Sequence, residues 1–293
     1  SNWREGRASK HGQWNRFQQL RNWHWSNKGM LATFCFAKPQ FGNFRVLLDN
    51  GFDNLYTPLI EFRLGRGRIL LSQLELVPNF GKDPVATELL GRILRHYGRA
   101  KADSLSPIAC LGEDGDRIAL QQLRAASRPG MTGEVMFLTG EQFADLGARS
   151  AAVRRFVEGG GVLLTRLPAG AAAPAWLGDQ PKPKAGPIGK MAVPRHEAFV
   201  GLGPSEFCFR WGTKADRIGG DGAMADGLIG VYGVGKGKVI LVQAPPSHFA
   251  GDEQTQWHND KLMRIYSTLL TNLGVRSASK INLTDSCGTG QAS

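Results

Sequence analysis

The run Gly65-Arg66-Gly67-Arg68-Ile69-Leu70-Leu71-Ser72-Gln73 recurs 170 positions later as Gly235-Lys236-Gly237-Lys238-Val239-Ile240-Leu241-Val242-Gln243. Upstream of it, Leu59 to Leu64 aligns with Ile229 to Val234 at the same offset. Self-similarity of this kind constrains a fold more than composition does, because each copy must build the same supersecondary unit. Each copy reads as a strand, a tight Gly-basic-Gly-basic turn and a second strand ending in Gln, which is a β-hairpin pattern.

A one-sided helix is expected after each hairpin. In the first copy Ala86, Leu89, Leu90, Ile93, Leu94 and Tyr97 fall on one stripe between about Asp83 and Tyr97. Asp83 is placed to cap that helix, with Pro84 at its first position. In the second copy the stripe is Leu262, Ile265, Tyr266, Leu269, Leu270 and Leu273, closed by Gly274. The helix offset is 176, so the second copy carries six more residues between hairpin and helix. The spacing is that of helices docked on a sheet.

Upstream of the second hairpin, short apolar runs alternate with helical segments. Pro107 to Leu111, Glu134 to Leu138 and Val162 to Leu167 read as buried strands. Asp116 is expected to cap a helix through about Ala126, and Ser150 one through Glu158. This βαβαβ alternation predicts a parallel sheet with helices on its faces. Residues 168–200, rich in Pro, Ala, Gly and Lys, are expected as a long surface loop. Three regions result: 1–102, the C-terminal part of a first unit that includes a Met30 to Phe36 strand; 103–275, a second, complete unit; and 276–293, a small-residue tail expected to be disordered. The first strands of the first unit are expected upstream of Ser1.

Charge is unevenly placed. The net charge is +11, and residues 1–103 hold sixteen Lys/Arg against eight Asp/Glu. Trp3, Trp14, Trp23 and Trp25 share the basic first segment. Two readings follow from that mixture: stacking on sugar rings or polyanion binding, and packing against protein not contained in this sequence. Net charge by itself does not make a nucleic-acid site. No apolar stretch approaches the roughly 20 residues of a membrane span.

Catalytic constellations are scarce. Gly65-x-Gly67 lies between two strands, so it offers no helix N-terminus to a phosphate. No HExxH or GxSxG motif occurs, and no metal or cofactor is expected. The cysteines Cys35, Cys110, Cys208 and Cys287 form no CxxC pair, and the first three sit in apolar runs where buried thiols are expected. His248 and His258 share a stretch with Asp252, Glu253 and Asp260, read as a solvated loop. Asp49, Asp53 and Glu61 are read as solvated turn and strand charges. The aromatic stretch from Phe41 to Glu61 either forms a contact surface or closes the first unit's core. Glu113 and Asp114 follow a strand's carboxyl end, where parallel sheets bind ligands, although adjacent side chains point apart.

The run Phe156-Val157-Glu158-Gly159-Gly160-Gly161-Val162-Leu163-Leu164 resembles the helix, Gly-Gly, strand element of class I glutamine-amidotransferase-like domains, which are flavodoxin-like. Such domains occur in some β-galactosidases. The segments Gly42-Asn43-Phe44-Arg45, Gly51-Phe52-Asp53, Thr57-Pro58-Leu59-Ile60-Glu61 and Gly65-Arg66-Gly67-Arg68 look like the C-terminal region of large bacterial family 2-like glycoside hydrolases. The resemblance spans most of residues 20–275. It implies an α/β chain of tandem flavodoxin-like domains, the first truncated at its N-terminus. It also implies a periplasmic or secreted location. True amidotransferases hold a nucleophilic Cys in a Gly-x-Cys-x-Gly elbow with a downstream His-x-Glu. Here Val162 to Leu167 runs into Pro168-Ala169-Gly170, Cys110 lies within a strand, and His196-Glu197 lacks the spacing. Glutamine hydrolysis through an activated thiol is therefore not expected.

The leading expectation is a non-catalytic C-terminal accessory or assembly module of a larger carbohydrate-active enzyme. Its partners would be the upstream catalytic domain, a further copy of itself, or carbohydrate. The alternative is a stand-alone binding module for a sugar or acidic ligand, resting on Trp23, Trp25, Arg66, Arg68, Lys236 and Lys238. A third reading is an enzyme using Glu113 and Asp114.

Overall fold

The computed structural model describes residues 35–50, 56–99, 104–177, 181–210, 213–249 and 256–278. They form two units. One takes in residues 1–39, 44–104 and 282–293; the other takes in 40–43 and 105–281. Trp3, Trp14, Trp23, Trp25, Asp53, Cys287 and most of the Met30 to Phe36 run lie outside the described residues.

The first unit is built on an antiparallel sheet of four strands: β1 (Phe36–Ala37), β2 (Phe44–Asn50), β3 (Tyr56–Leu64) and β4 (Gly67–Ser72). β3 is central. β2 lies along one edge; β1 and β4 pair with the two ends of the other. Pro58 cannot donate to a ladder, and the register accommodates it. Between Leu48↔Leu59 and Asn50↔Tyr56, β3 carries one more residue than β2, a bulge at Pro58. Two helices follow, α1 (Leu76–Asn79) and α2 (Pro84–Arg99). The Asp83 side chain accepts from the Ala86 amide at 2.8 Å, so the cap and the Pro84 start are as expected.

The face under α2 corrects one expectation. Glu61 is not solvated; it is 1% exposed. The Tyr97 hydroxyl donates to it at 2.7 Å, and Arg45, Arg63 and Arg68 stand 3.6–3.9 Å away. Burying a carboxylate is costly unless hydrogen bonds and opposite charges surround it. Asp49 is ion-paired with Lys38 at 2.6 Å.

The second unit is an α/β layer structure on a seven-stranded mixed sheet. Its strands are β5 (Ile108–Cys110), β6 (Ser127–Pro129), β7 (Val135–Phe137), β8 (Val162–Thr165), β11 (Ala223–Met224), β12 (Ile229–Val234) and β13 (Gly237–Val242). The spatial order is β11-β12-β13-β8-β7-β5-β6. The five strands from β13 to β6 are parallel, and β12 and β11 extend the sheet antiparallel. Parallel strands buried on both faces demand continuous apolar runs, which Ile108 to Cys110 and Val135 to Phe137 supply. One face packs on α3 (Asp114–Gln122) and α6 (Gln256–Asn272) through Leu120, Leu262, Ile265 and Leu269. The other packs on α4 (Gly140–Ala144) and α5 (Ser150–Glu158) through Phe143, Val153 and Val157.

Residues 168–200 are more than a loop. Lys182–Pro187 forms β9, paired antiparallel with β10 (Lys214–Gly219). The chain also stays bonded beyond α6: the Arg276 and Ala278 amides donate to Ser106 and Arg124 carbonyls. In this unit Phe41 packs on the core beneath the Arg124 guanidinium, 4.2 Å from its ring centre. Phe44, by contrast, is buried in the first unit, 6.5 Å from Phe62.

The repeat survives at atomic detail. Leu59↔Ser72 through Leu64↔Gly67 in one hairpin is matched by Ile229↔Val242 through Val234↔Gly237 in the other. Gly65 and Gly235 both take positive φ, +59° and +60°, as the first central residue of a II′ turn requires. The Gln73 and Gln243 amides donate to Pro58 and Leu228 carbonyls at 2.8 and 2.9 Å.

Candidate functional site

In an open parallel sheet, ligands gather outside the carboxyl ends of the strands, at the point where strand order reverses. Here that point lies between β5 and β7, reached by the loops Leu111–Glu113 and Leu138–Thr139. It is filled by the protein itself. Asp116, on the first turn of α3, is fully buried. Its carboxylate accepts from the Leu111 amide (3.1 Å), the Thr139 amide (3.2 Å) and the Gln142 side chain (3.3 Å). Thr139 and Gln142 also form the capping box of α4. The donors that would meet a bound anion at this crevice are therefore already engaged by a carboxylate. Burial pushes the Asp116 pKa up, against the hydrogen bonds from Thr139, Gln142 and Leu111. Asp116 was expected only as a helix cap. Nothing in a single sequence distinguishes a solvated N-terminal Asp from one that ties two loops together.

Beside this plug, the carboxyl ends of β7 and β8 and the segment after β13 enclose a cavity of about 270 Å³, between α3 and α6. Gln122, Thr139, Glu141, Thr165, Arg166, Ser247 and Tyr266 supply its polar lining. Most of these groups already have partners. Arg166 is ion-paired with Glu141 and, at 3.4 Å, with Asp216. The Tyr266 hydroxyl donates to the Ala244 carbonyl at 2.8 Å, and burial raises its pKa. The Thr165 hydroxyl reaches the Thr139 carbonyl at 3.5 Å. His248, next to Ser247, turns its Nε2 to the Lys214 carbonyl at 2.7 Å.

Among the described residues no thiol lines this cavity. Cys110 is buried in β5 with Sγ on the Arg128 carbonyl, and burial raises its pKa, which disfavours the thiolate. Cys208 is exposed and Cys35 half-buried, so neither is the core thiol its apolar neighbourhood suggested. His196 accepts from the Ala198 amide through Nδ1 and caps a short turn; Glu197 pairs with Lys238 at 2.7 Å. Among the described residues no three His, Cys, Asp or Glu side chains are arranged to hold a metal.

The residues singled out by sequence fall in separate places. Glu113 pairs with Arg149, and Asp114 with Arg117, so the two carboxylates turn to different partners on an exposed helix start. Hydrogen bonding from Arg149 lowers the Glu113 pKa, which favours a charged surface group over a proton donor. In the second hairpin, the Lys236 and Lys238 amides donate to the Glu158 and Gly161 carbonyls at the end of α5. Basic residues at a helix C-terminus complement its dipole. In the first hairpin Arg68 faces Glu61, and Arg66 is exposed. Trp23 and Trp25 lie outside the described residues. Sequence reasoning missed Gln243, whose fully buried amide accepts from the Leu167 N–H at 2.8 Å and donates to its carbonyl at 3.0 Å. Its recurrence at the end of both hairpins was the available signal. No helix among the described residues is long and apolar enough to cross a membrane. Compared with known proteins, the chain matches no family model and no curated relative.

Proposed function

We propose that this chain is a non-catalytic accessory and assembly module of a larger carbohydrate-active enzyme, built from two related flavodoxin-like units of which the first is incomplete. The observation that carries the non-catalytic reading is Asp116, which closes the switch-point crevice from inside. The strand order supports the flavodoxin-like assignment: taken in chain order, the parallel strands β5, β6, β7, β8 and β13 stand 2-1-3-4-5. The carbohydrate connection rests on the sequence resemblance to family 2-like glycoside hydrolases. The test is an activity screen of the 293-residue chain against aryl glycosides and glutamine, beside the protein encoded by its whole reading frame. The expected result is turnover of a glycoside by the whole protein and none by the 293-residue chain. Turnover by the isolated chain that disappears in a Glu113→Gln/Asp114→Asn double variant would overturn the proposal and restore the enzymatic reading.

A further inference from the structure

The two hairpins share register and turn, yet among the described residues only one has a neighbour on its far edge. β13 pairs in parallel with β8, from Lys238↔Val162 to Leu241↔Thr165. Among the described residues β4 pairs with β3 alone. The turn shows the same contrast. A Cβ on Gly237 would stand 2.2 Å from the Val157 and Gly161 carbonyl oxygens, and one on Gly235 would stand 2.8 Å from the Glu158 backbone. Those glycines are required because the C-terminus of α5 lies directly on the turn. Gly65 and Gly67 keep the same residue type, yet among the described residues a Cβ on Gly65 would meet nothing within 4 Å and one on Gly67 only the Leu64 carbonyl at 3.5 Å. At Gly67, whose φ is not positive, neither backbone strain nor crowding among the described residues calls for glycine.

The end of the strand repeats the pattern. Gln243 clamps the backbone of Leu167, just past β8. Gln73 occupies the same place, half-buried, and its side chain makes no such clamp among the described residues. The apolar surface agrees. Ile69 is 43% exposed where its counterpart Val239 is 0%, and Leu94 on α2 is 63% exposed where Leu270 on α6 is 4%.

We infer that the outer edge of β4, from the Gly65-Arg66-Gly67 turn to Gln73, is the docking site for a helix–Gly–strand segment of polypeptide from outside these 293 residues, running parallel to β4. The occupant's chemistry is read from the filled copy, Val157-Glu158-Gly159-Gly160-Gly161-Val162-Leu163-Leu164-Thr165. A helix ending in glycine brings its last carbonyls onto the turn amides, and a short apolar strand completes the ladder. It closes with a backbone amide and carbonyl presented to Gln73. The outward amides of β4 available to it are Leu70 and Ser72, counterparts of Ile240 and Val242, which alternate with the amides facing β12. The source of the segment, the remainder of the same larger protein, rests on the accessory-module reading; the shape and polarity of the edge do not.

The test is amide hydrogen exchange on the 293-residue chain and on the protein encoded by its whole reading frame, each with and without Gly67→Val. The expected result is fast exchange at Leu70 and Ser72 in the 293-residue chain and protection by at least about 100-fold in the whole protein. Gly67→Val is expected to abolish that protection while leaving the melting temperature of the 293-residue chain unchanged. Equal exchange in both proteins, protection insensitive to Gly67→Val, or a reading frame that starts at Ser1 would each overturn the docking site. Protection in a whole protein that turns over no glycoside would uphold the docking site and defeat the carbohydrate reading alone.

Discussion

The hairpins β3–β4 and β12–β13 have the same residue pairing and the same turn, yet opposite surroundings. β13 is buried almost throughout, while every residue of β4 is partly or largely exposed. The turn and register come from local chemistry: a glycine able to take positive φ, flanked by runs suited to a pleated strand. Burial comes from distant parts of the chain, β8 and the end of α5. The glycines at 67 and 237 are thus the same letter under different constraints, and substitutions at matched positions separate the two sources of stability.

The largest separation is expected at the turns. Gly237→Val drives a Cβ into two carbonyl oxygens held by helix and strand, so neither side has room to yield. The second unit is expected to lose at least about 3 kcal/mol, read as a fall in its urea midpoint. Gly67→Val places a β-branched residue in open space on a strand and is expected to change the first unit by less than about 0.5 kcal/mol. Equal losses at the two positions would mean that the turn itself, not its neighbour, demands glycine.

The glutamines come next. Gln243→Ala strands the Leu167 amide and carbonyl, both buried, without a partner. The expected cost is about 2–3 kcal/mol by denaturant titration. Gln73→Ala removes no bond made among the described residues, and a loss below about 0.5 kcal/mol is expected. Were Gln73→Ala to cost as much as Gln243→Ala, its side chain would already be engaged in the 293-residue chain, and the contrast between the copies would narrow.

What the sequence made legible follows the same division. The hairpins, the Asp83 cap, both long helices and the parallel strands β5, β7, β8 and β13, though not the short edge strand β6, were readable because their signals are local: alternation, a 3.6-residue stripe, a capping side chain. The strand β9 was not, since Lys182–Pro187 holds two prolines and a glycine and reads as loop; it becomes a strand by pairing with Lys214–Gly219, some thirty residues away. Glu61 was misread because a carboxylate flanked by Ile60 and Phe62 in a strand resembles the solvated member of an alternating pattern. Its burial depends on Tyr97 arriving from α2 and on Arg45 from β2. The site was the least legible part. The cavity is walled by residues from five separate stretches of chain, and Asp116 differs from an ordinary helix-start acid only in what its two loops do around it.

The two C-terminal helices offer a smaller contrast. α6 adds to its apolar stripe the Tyr266 hydroxyl on the Ala244 carbonyl, whereas on α2 the Tyr97 hydroxyl serves a buried carboxylate, Glu61. Tyr97→Phe keeps the ring and removes a donor from a buried carboxylate, so a loss of about 1.5 kcal/mol is expected in the first unit. Leu273→Phe, at the matched position just past the end of α6, removes no hydrogen-bonding group. A tyrosine variant with wild-type stability would show that the three arginines suffice to hold Glu61.

The smallest effect expected is a pH dependence in the second unit, and its sign carries the information. Burial raises the Asp116 pKa above its ordinary value of 3.8, so the folded state holds the proton more tightly than the unfolded state does. Stability contributed by such an acid rises as the pH falls through the folded pKa toward the unfolded one, and is lost in the opposite direction. Asp116→Asn removes the titration. It also turns an amide NH₂ toward donors already present, at a cost of roughly 1 kcal/mol near neutral pH. The wild-type-minus-variant stability, measured by urea titration from pH 7 down to pH 4, is therefore expected to drift in favour of the wild type on acidification, by less than about 1 kcal/mol in all. A drift the other way would mean that the Leu111, Thr139 and Gln142 donors outweigh burial. The switch-point crevice would then be polarised toward anions, as a ligand site is, and the case for a closed, non-catalytic crevice would weaken with it.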